Sequence, residues 1–166
     1  QVVHHQINNL LSSHPLTRTA AGEAVGFTNP FAPSLTIYDA TGVVASSPIP
    51  EFDVNALAAA PGGAIWYSNP GFLVPGQVTK IDRSLNFLFS TPLMSIQVPK
   101  DIQCDALGNL WVAEDLPVNP PVFERISPNG IGSGAITLSA TGTSAVAALT
   151  FYGTHLYLHY KDLNGT

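Results

Sequence analysis

The chain has 166 residues, of which only 10% are charged and 45% hydrophobic, with 14 Gly, 14 Pro and a net charge of −5. Six scattered Lys and Arg residues argue against a nucleic-acid binder, and no apolar run approaches the ~20 residues of a membrane-spanning helix. The apolar content is too high for a disordered chain, and many turn formers between short apolar runs predict a single all-β domain.

In chain order, residues 1–15 read as the last two strands of a repeat unit, because INNLLSSHP at 7–15 parallels LNFLFSTP at 85–92 with one insertion. Residues 24–30 (AVGFTNP) read as a second strand, residues 35–42 as a third strand and turn, and SSP at 46–48 marks the outer strand. The next unit has an inner strand over 55–60, a Pro61-Gly62-Gly63 turn, and strands over 65–67, 77–82 and 87–90. The clearest unit follows. Residues 101–105 alternate polar and apolar as an inner strand, and a turn at 106–109 uses Gly108 and Asn109, which tolerate positive φ. Leu110-Trp111-Val112-Ala113 is aromatic and β-branched, 122–126 is the third strand, and 135–139 is the outer one. Residues 144–160 supply only the first two strands of a further unit.

The units repeat. Trp111 lies 45 residues after Trp66, Tyr157 lies 46 after Trp111, and Ile37, Ile81 and Ile126 are spaced by 44 and 45. A period of 40–46 built from short strands is the pattern of propeller blades. The expected architecture is an all-β propeller of four-stranded blades, with half-blades at 1–16 and 144–166 around blades at 17–53, 54–99 and 100–143. The half-blades would join either within one chain or between copies, as a ring or filament. The start at Gln1 is that of a processed chain or a fragment.

The phrase Gly-Asn-Leu-Trp-Val-Ala-Glu-Asp at 108–115, followed by Phe-Glu-Arg-Ile-Ser-Pro-Asn-Gly at 123–130, resembles the blades of NHL and streptogramin-lyase (virginiamycin B lyase-like) propellers. It is similar, more distantly, to gluconolactonase-type propellers. The resemblance covers residues 24–160 at blade level. It implies a propeller fold and, for the lyases, a magnesium ion, glutamates and a proton-accepting histidine, with Glu114 at a carboxylate position. The inner strands at 55–59 and 101–105 carry no histidine, which departs from the lyase pattern.

In a propeller, loops after the second strands meet the loops entering the inner strands. That places Asn29, Asn69, Glu114, Asp115, Lys161 and Asp162 on one face. Glu114, Asp115 and Asn69 are the candidate ligands for a hard cation, Mg²⁺ or Ca²⁺; the competing reading is turn residues, with Asn29-Pro30 and Asn69-Pro70 starting turns. Phe31, Phe72, Leu73, Leu116 and Asn119, in Pro-rich loops, would form a stiff apolar binding rim suited to protein association. The Trp66–Trp111 column reads as packing between blades, and Cys104 as a buried structural thiol. His155 and His159 share a strand face about 13 Å apart, too far for one metal; adjacent His4 and His5 point to opposite faces if extended. No nucleophile elbow, phosphate loop or zinc-protease motif occurs.

The expected function is a non-catalytic, secreted or cell-surface propeller that binds a protein partner or associates with itself, with no catalytic residue. A small ligand in the central channel is a further expectation. The alternative is a metal-dependent lyase or lactonase-type enzyme. The Asn164-Gly165-Thr166 sequon carries little weight.

Overall fold

The computed structural model describes residues 16–19, 21–28, 34–48, 54–71, 74–114, 122–137 and 144–162. Three four-stranded antiparallel sheets follow one another along the chain. The first holds β1 (Leu16–Arg18), β2 (Ala24–Thr28), β3 (Ser34–Asp39) and β4 (Gly42–Pro48). The second holds β5 (Ala56–Ala59), β6 (Ile65–Asn69), β7 (Gln77–Ile81) and β8 (Phe87–Pro92). The third holds β9 (Pro99–Cys104), β10 (Leu110–Glu114), β11 (Val122–Ile126) and β12 (Gly132–Thr137), and a hairpin of β13 (Ser144–Tyr152) and β14 (His155–Asp162) closes the series. The inner strands sit side by side, β1 beside β5, β5 beside β9 and β9 beside β13. These are propeller blades, each strand hydrogen-bonded to the next in sequence. Of the expected half-blade at 1–16, residues 1–15 lie outside the described residues, and Leu16 begins β1 of the first sheet.

The second and third sheets each present two buried faces, so their strands are apolar on both sides rather than simply alternating. Val25, Leu35 and Ile37 of the first sheet meet Leu57, Ile65, Tyr67 and Ile81 of the second. Ala56, Ala58, Trp66 and Val78 on the other side of the second sheet meet Ile102, Leu110, Val112 and Ile126 of the third. Ala113, Trp111 and Phe123 then meet Leu149, Leu156 and Leu158 of the hairpin. The tryptophan column is packing, as expected. Trp66 is fully buried with its ring edge-on to Phe89 at 5.6 Å, and Trp111 stands edge-on to Phe151 at 6.3 Å.

One spacing misleads. Thr36 Oγ1 lies 3.0 Å from Ser46 Oγ and Thr79 Oγ1 lies 2.7 Å from Ser90 Oγ, each just before a bulge, at Ile37/Tyr38 and Lys80/Ile81. Ile37 therefore corresponds to Lys80 and not to Ile81, and the two isoleucines enter the same core from opposite sheets. A slip of one residue exchanges the faces of a strand. The outer strand of the third sheet also starts earlier than expected, at Gly132 rather than 135, opposite a bulge between Glu124 and Ile126.

Tight turns tie the far ends of the sheets together. Asp82 Oδ1 accepts Ser84 N (2.8 Å) and Asn86 N (2.9 Å), and Asp105 Oδ1 accepts Leu107 N and Asn109 N (both 2.9 Å). Between the second and third sheets, Lys80 Nζ donates to Pro128 O (2.8 Å) and lies 5.2 Å from the Trp66 ring centre. Thr91 Oγ1 donates to Gly130 O (3.1 Å). Between the first and second sheets the buried Glu23 pairs with Arg83, and that hydrogen bond, more than any other cause, holds the Glu23 carboxyl below its ordinary range.

Candidate functional site at the loop face

Among the described residues, the loop after β6 meets the loop entering β9. In the second sheet, Gly71 N donates to Gln97 O, Gly76 N to Ile96 O, and Leu93 N to Gly76 O, each at 2.8 Å. The crowding needs glycine at both points. A Cβ on Gly76 would come within 2.9 Å of the Asn69 and Gln97 carbonyl oxygens, and one on Gly71 within 1.9 Å of Val74 O.

The crossover loop, residues 93–98, carries the second sheet's outer strand into the third sheet's inner strand. Its Leu93 and Ile96 side chains are buried in the core between these sheets. Its backbone amides turn instead to two buried glutamates. Glu124 Oε2 accepts Met94 N (2.9 Å) and Ser95 N (3.4 Å), while Oε1 also accepts Met94 N (3.1 Å). Glu114 Oε2 accepts Gln97 N (2.8 Å) and Oε1 accepts Val98 N (2.9 Å). A carboxylate so buried is tolerated because charge-assisted hydrogen bonds replace its water.

Of the expected cation ligands, Asn69 and Glu114 lie at the same place in successive blades, as the last residues of β6 and β10, and both are buried. Asp115 lies outside the described residues. Glu114 uses both carboxylate oxygens on backbone amides, and no three His, Cys, Asp or Glu side chains gather around one point among the described residues. Asn29 and the rim residues Phe31, Phe72, Leu73, Leu116 and Asn119 are likewise outside the described residues, as are His4, His5, Asn164 and the side chains of Lys161 and Asp162.

Two carboxylates escape the sequence patterns. Glu124 is one, although its parity with Val122 and Ile126 puts a charge in an apolar stripe and could have flagged it. Asp101, on β9, is the other. Its Oδ2 accepts Leu149 N (2.7 Å) from the hairpin and its Oδ1 accepts Ile102 N (2.8 Å). Burial pushes the Asp101 carboxyl above its ordinary value despite those bonds. Asp101 is thus a partly buried carboxyl on an inner strand, held by amides of its own strand and of the hairpin.

Cys104, three residues along β9, is half-buried, and burial first and the neighbouring Asp105 second push its thiol up to about 12. It stays a neutral thiol at physiological pH. His155 and His159 are exposed on one face of β14, as expected from their spacing, and belong to no ligand cluster among the described residues.

No known family description matches the sequence, and no curated protein does. Solved structures do match, and among them is a protein described as a gluconolactonase. A gluconolactonase from Xanthomonas campestris superposes with a TM-score of 0.61 at 16% identity over 90% of this chain and 54% of its own. A luciferin-regenerating enzyme superposes at 0.58 with 18% identity, over 86% of this chain and 52% of its own. A Bacteroides caccae protein of unknown function superposes at 0.55 with 16% identity, covering 90% and 60%. At these identities the likeness establishes the fold. This chain spans little more than half the length of these three proteins.

Proposed function

We propose that this chain supplies blades of a lactonase-type propeller enzyme that opens a small cyclic ester by hydrolysis at the loop face, beside the inner strands. The superposition of nearly all of the chain on a gluconolactonase and on a luciferin-regenerating enzyme carries this reading. Asp101 is the group assigned to proton transfer. Leu149 N and Ile102 N fix its orientation, and burial favours its protonated form.

One observation favours a second reading, a non-catalytic binding module. Glu114 and Glu124 both serve the backbone of the crossover loop, so the buried acids of this face build structure.

Thermal melting with added aldonolactone, and separately with millimolar Mg²⁺ or Ca²⁺, separates the two. A ligand at 100 times its Kd stabilises by about 2.7 kcal/mol, so an enzyme site gives a concentration-dependent rise in Tm with the lactone. A melting temperature indifferent to the lactone favours the binding module.

A further inference from the structure

The turn between β11 and β12 is tied to the second sheet on both sides of Asn129. Lys80 Nζ donates to Pro128 O at 2.8 Å, and Thr91 Oγ1 donates to Gly130 O at 3.1 Å. The Phe89 ring lies against Gly130, where a Cβ would come within 2.7 Å of it. Between the two held carbonyls, Asn129 itself is exposed. The turn closes through Gly130 N to Ser127 O and Ser127 N to Ile131 O, both at 2.9 Å, with Gly130 at φ +84°. Such a turn does not call for asparagine before its positive-φ residue. The turns closed by Leu85 N to Asp82 O and by Gly108 N to Asp105 O place Ser84 and Leu107 there.

We propose that Asn129 is a site of spontaneous deamidation, and that the docking of this turn on the second sheet sets its rate. The Gly130 amide nitrogen attacks the carbonyl carbon of the Asn129 side chain. The N–Cγ bond forms, the Cγ–Nδ2 bond breaks, and ammonia departs to leave a five-membered imide. Water then opens the imide at either carbonyl, giving aspartate or isoaspartate at position 129. Glycine leaves the attacking nitrogen unobstructed, because it has no Cβ. In the folded turn that N–H is committed to Ser127 O, so attack requires local opening, which the bonds from Lys80 and Thr91 oppose. Isoaspartate adds a methylene to the main chain between the two held carbonyls. With Phe89 packed on Gly130 there is no slack to absorb it, so the modification loosens the joint between the second and third sheets. The inference is independent of lactonase activity.

The test is tandem mass spectrometry of the full chain incubated at mildly alkaline pH. The peptide holding Asn129 is read apart from that holding Asn164-Gly165, the other pair of this kind in the chain. Aspartate and isoaspartate are expected at position 129, forming more slowly in the folded chain than in the chain unfolded by urea. Lys80→Met and Thr91→Val each speed the folded-state reaction by roughly two- to tenfold, the weight of one hydrogen bond on an opening equilibrium. Circular dichroism checks that both variants fold. The isoaspartate form melts below the unmodified chain, whereas Asn129→Asp, with the same charge and an ordinary main chain, melts with it. Absence of product at position 129 from the folded chain and from both variants overturns the proposal. A folded rate equal to the unfolded one, or unaltered by both variants, overturns control by docking. An isoaspartate form that melts with the unmodified chain overturns the loosening.

Discussion

Glu114 and Glu124 sit on neighbouring strands, β10 and β11, and grip opposite ends of one loop. Glu124 takes the amides of Met94 and Ser95, and Glu114 takes those of Gln97 and Val98. The loop's apolar side chains drop into the core while its N–H groups are held from the third sheet, so the pair fixes how the second and third blades join.

Removing either acid leaves two loop amides without their acceptors. Glu124→Ala and Glu114→Ala are each expected to cost about 2–3 kcal/mol, or several degrees in Tm, as hydrogen bonds to charged groups are lost. Urea unfolding measures it. Because both act on one loop, the double variant is expected to lose less than the sum of the singles.

At the other end of the same interface, Lys80 and Gly130 make a second joint. Lys80→Met keeps the aliphatic stem but loses the bond to Pro128 O and the contact with the Trp66 ring, at a cost of about 1–2 kcal/mol. Gly130→Ala is expected to cost more than that. Gly130 has φ +84°, and a Cβ there would lie 2.7 Å from the Phe89 ring. Thermal unfolding ranks the two variants.

The acidic limb of the stability curve contains opposed contributions. Asp39 and Asp82 titrate below their ordinary value of 3.8, Asp39 chiefly through its bond to Thr41 and Asp82 chiefly through Asn86. Their folded forms bind protons less readily than the unfolded chain, so their stabilisation is present above pH 3.8 and fades as pH falls through their lowered values. Asp101 has the reverse sign. Its folded carboxyl binds a proton more readily than the unfolded one, so its contribution is full below pH 3.8 and is lost as pH rises through its raised value. Asp82→Asn is therefore expected to flatten the acid loss. Asp101→Asn, whose amide oxygen still accepts Leu149 N, removes the opposing slope. Tm recorded against pH for the three proteins shows both signs.

Cys104 is expected to resist alkylation in the native protein at pH 8 and to react on unfolding, since its thiol titrates only at about 12. Rapid labelling of the native protein would contradict the burial that the structure gives it.

The strands were legible where apolar runs end at turn formers. Residues 122–126 were read to the residue, because Ser127-Pro128-Asn129-Gly130 stops the strand sharply. The start of β12 was not legible, because Gly132-Ser133-Gly134 offers no apolar alternation and a bulge sets its pairing. The spacing makes Ile37 equivalent to Ile81, one position from its counterpart Lys80, since the repeat length differs between blades while side-chain faces invert with each residue. At the loop face, Glu114 was legible as the residue closing the Trp111 strand. Its partners were not, because they are backbone amides of a loop whose own sequence, Leu93 to Val98, carries no mark of them.

Hydrolysis of an aldonolactone by the full chain, followed as proton release with and without added Mg²⁺ or Ca²⁺, tests the proposed activity most directly. Saturable hydrolysis above the spontaneous rate, reduced at least roughly tenfold by Asp101→Asn without loss of fold, is the expected result for a proton-transferring group. A rate equal to the buffer blank under every condition, from a protein shown to be folded, would contradict the enzyme reading and leave the blades as a binding module.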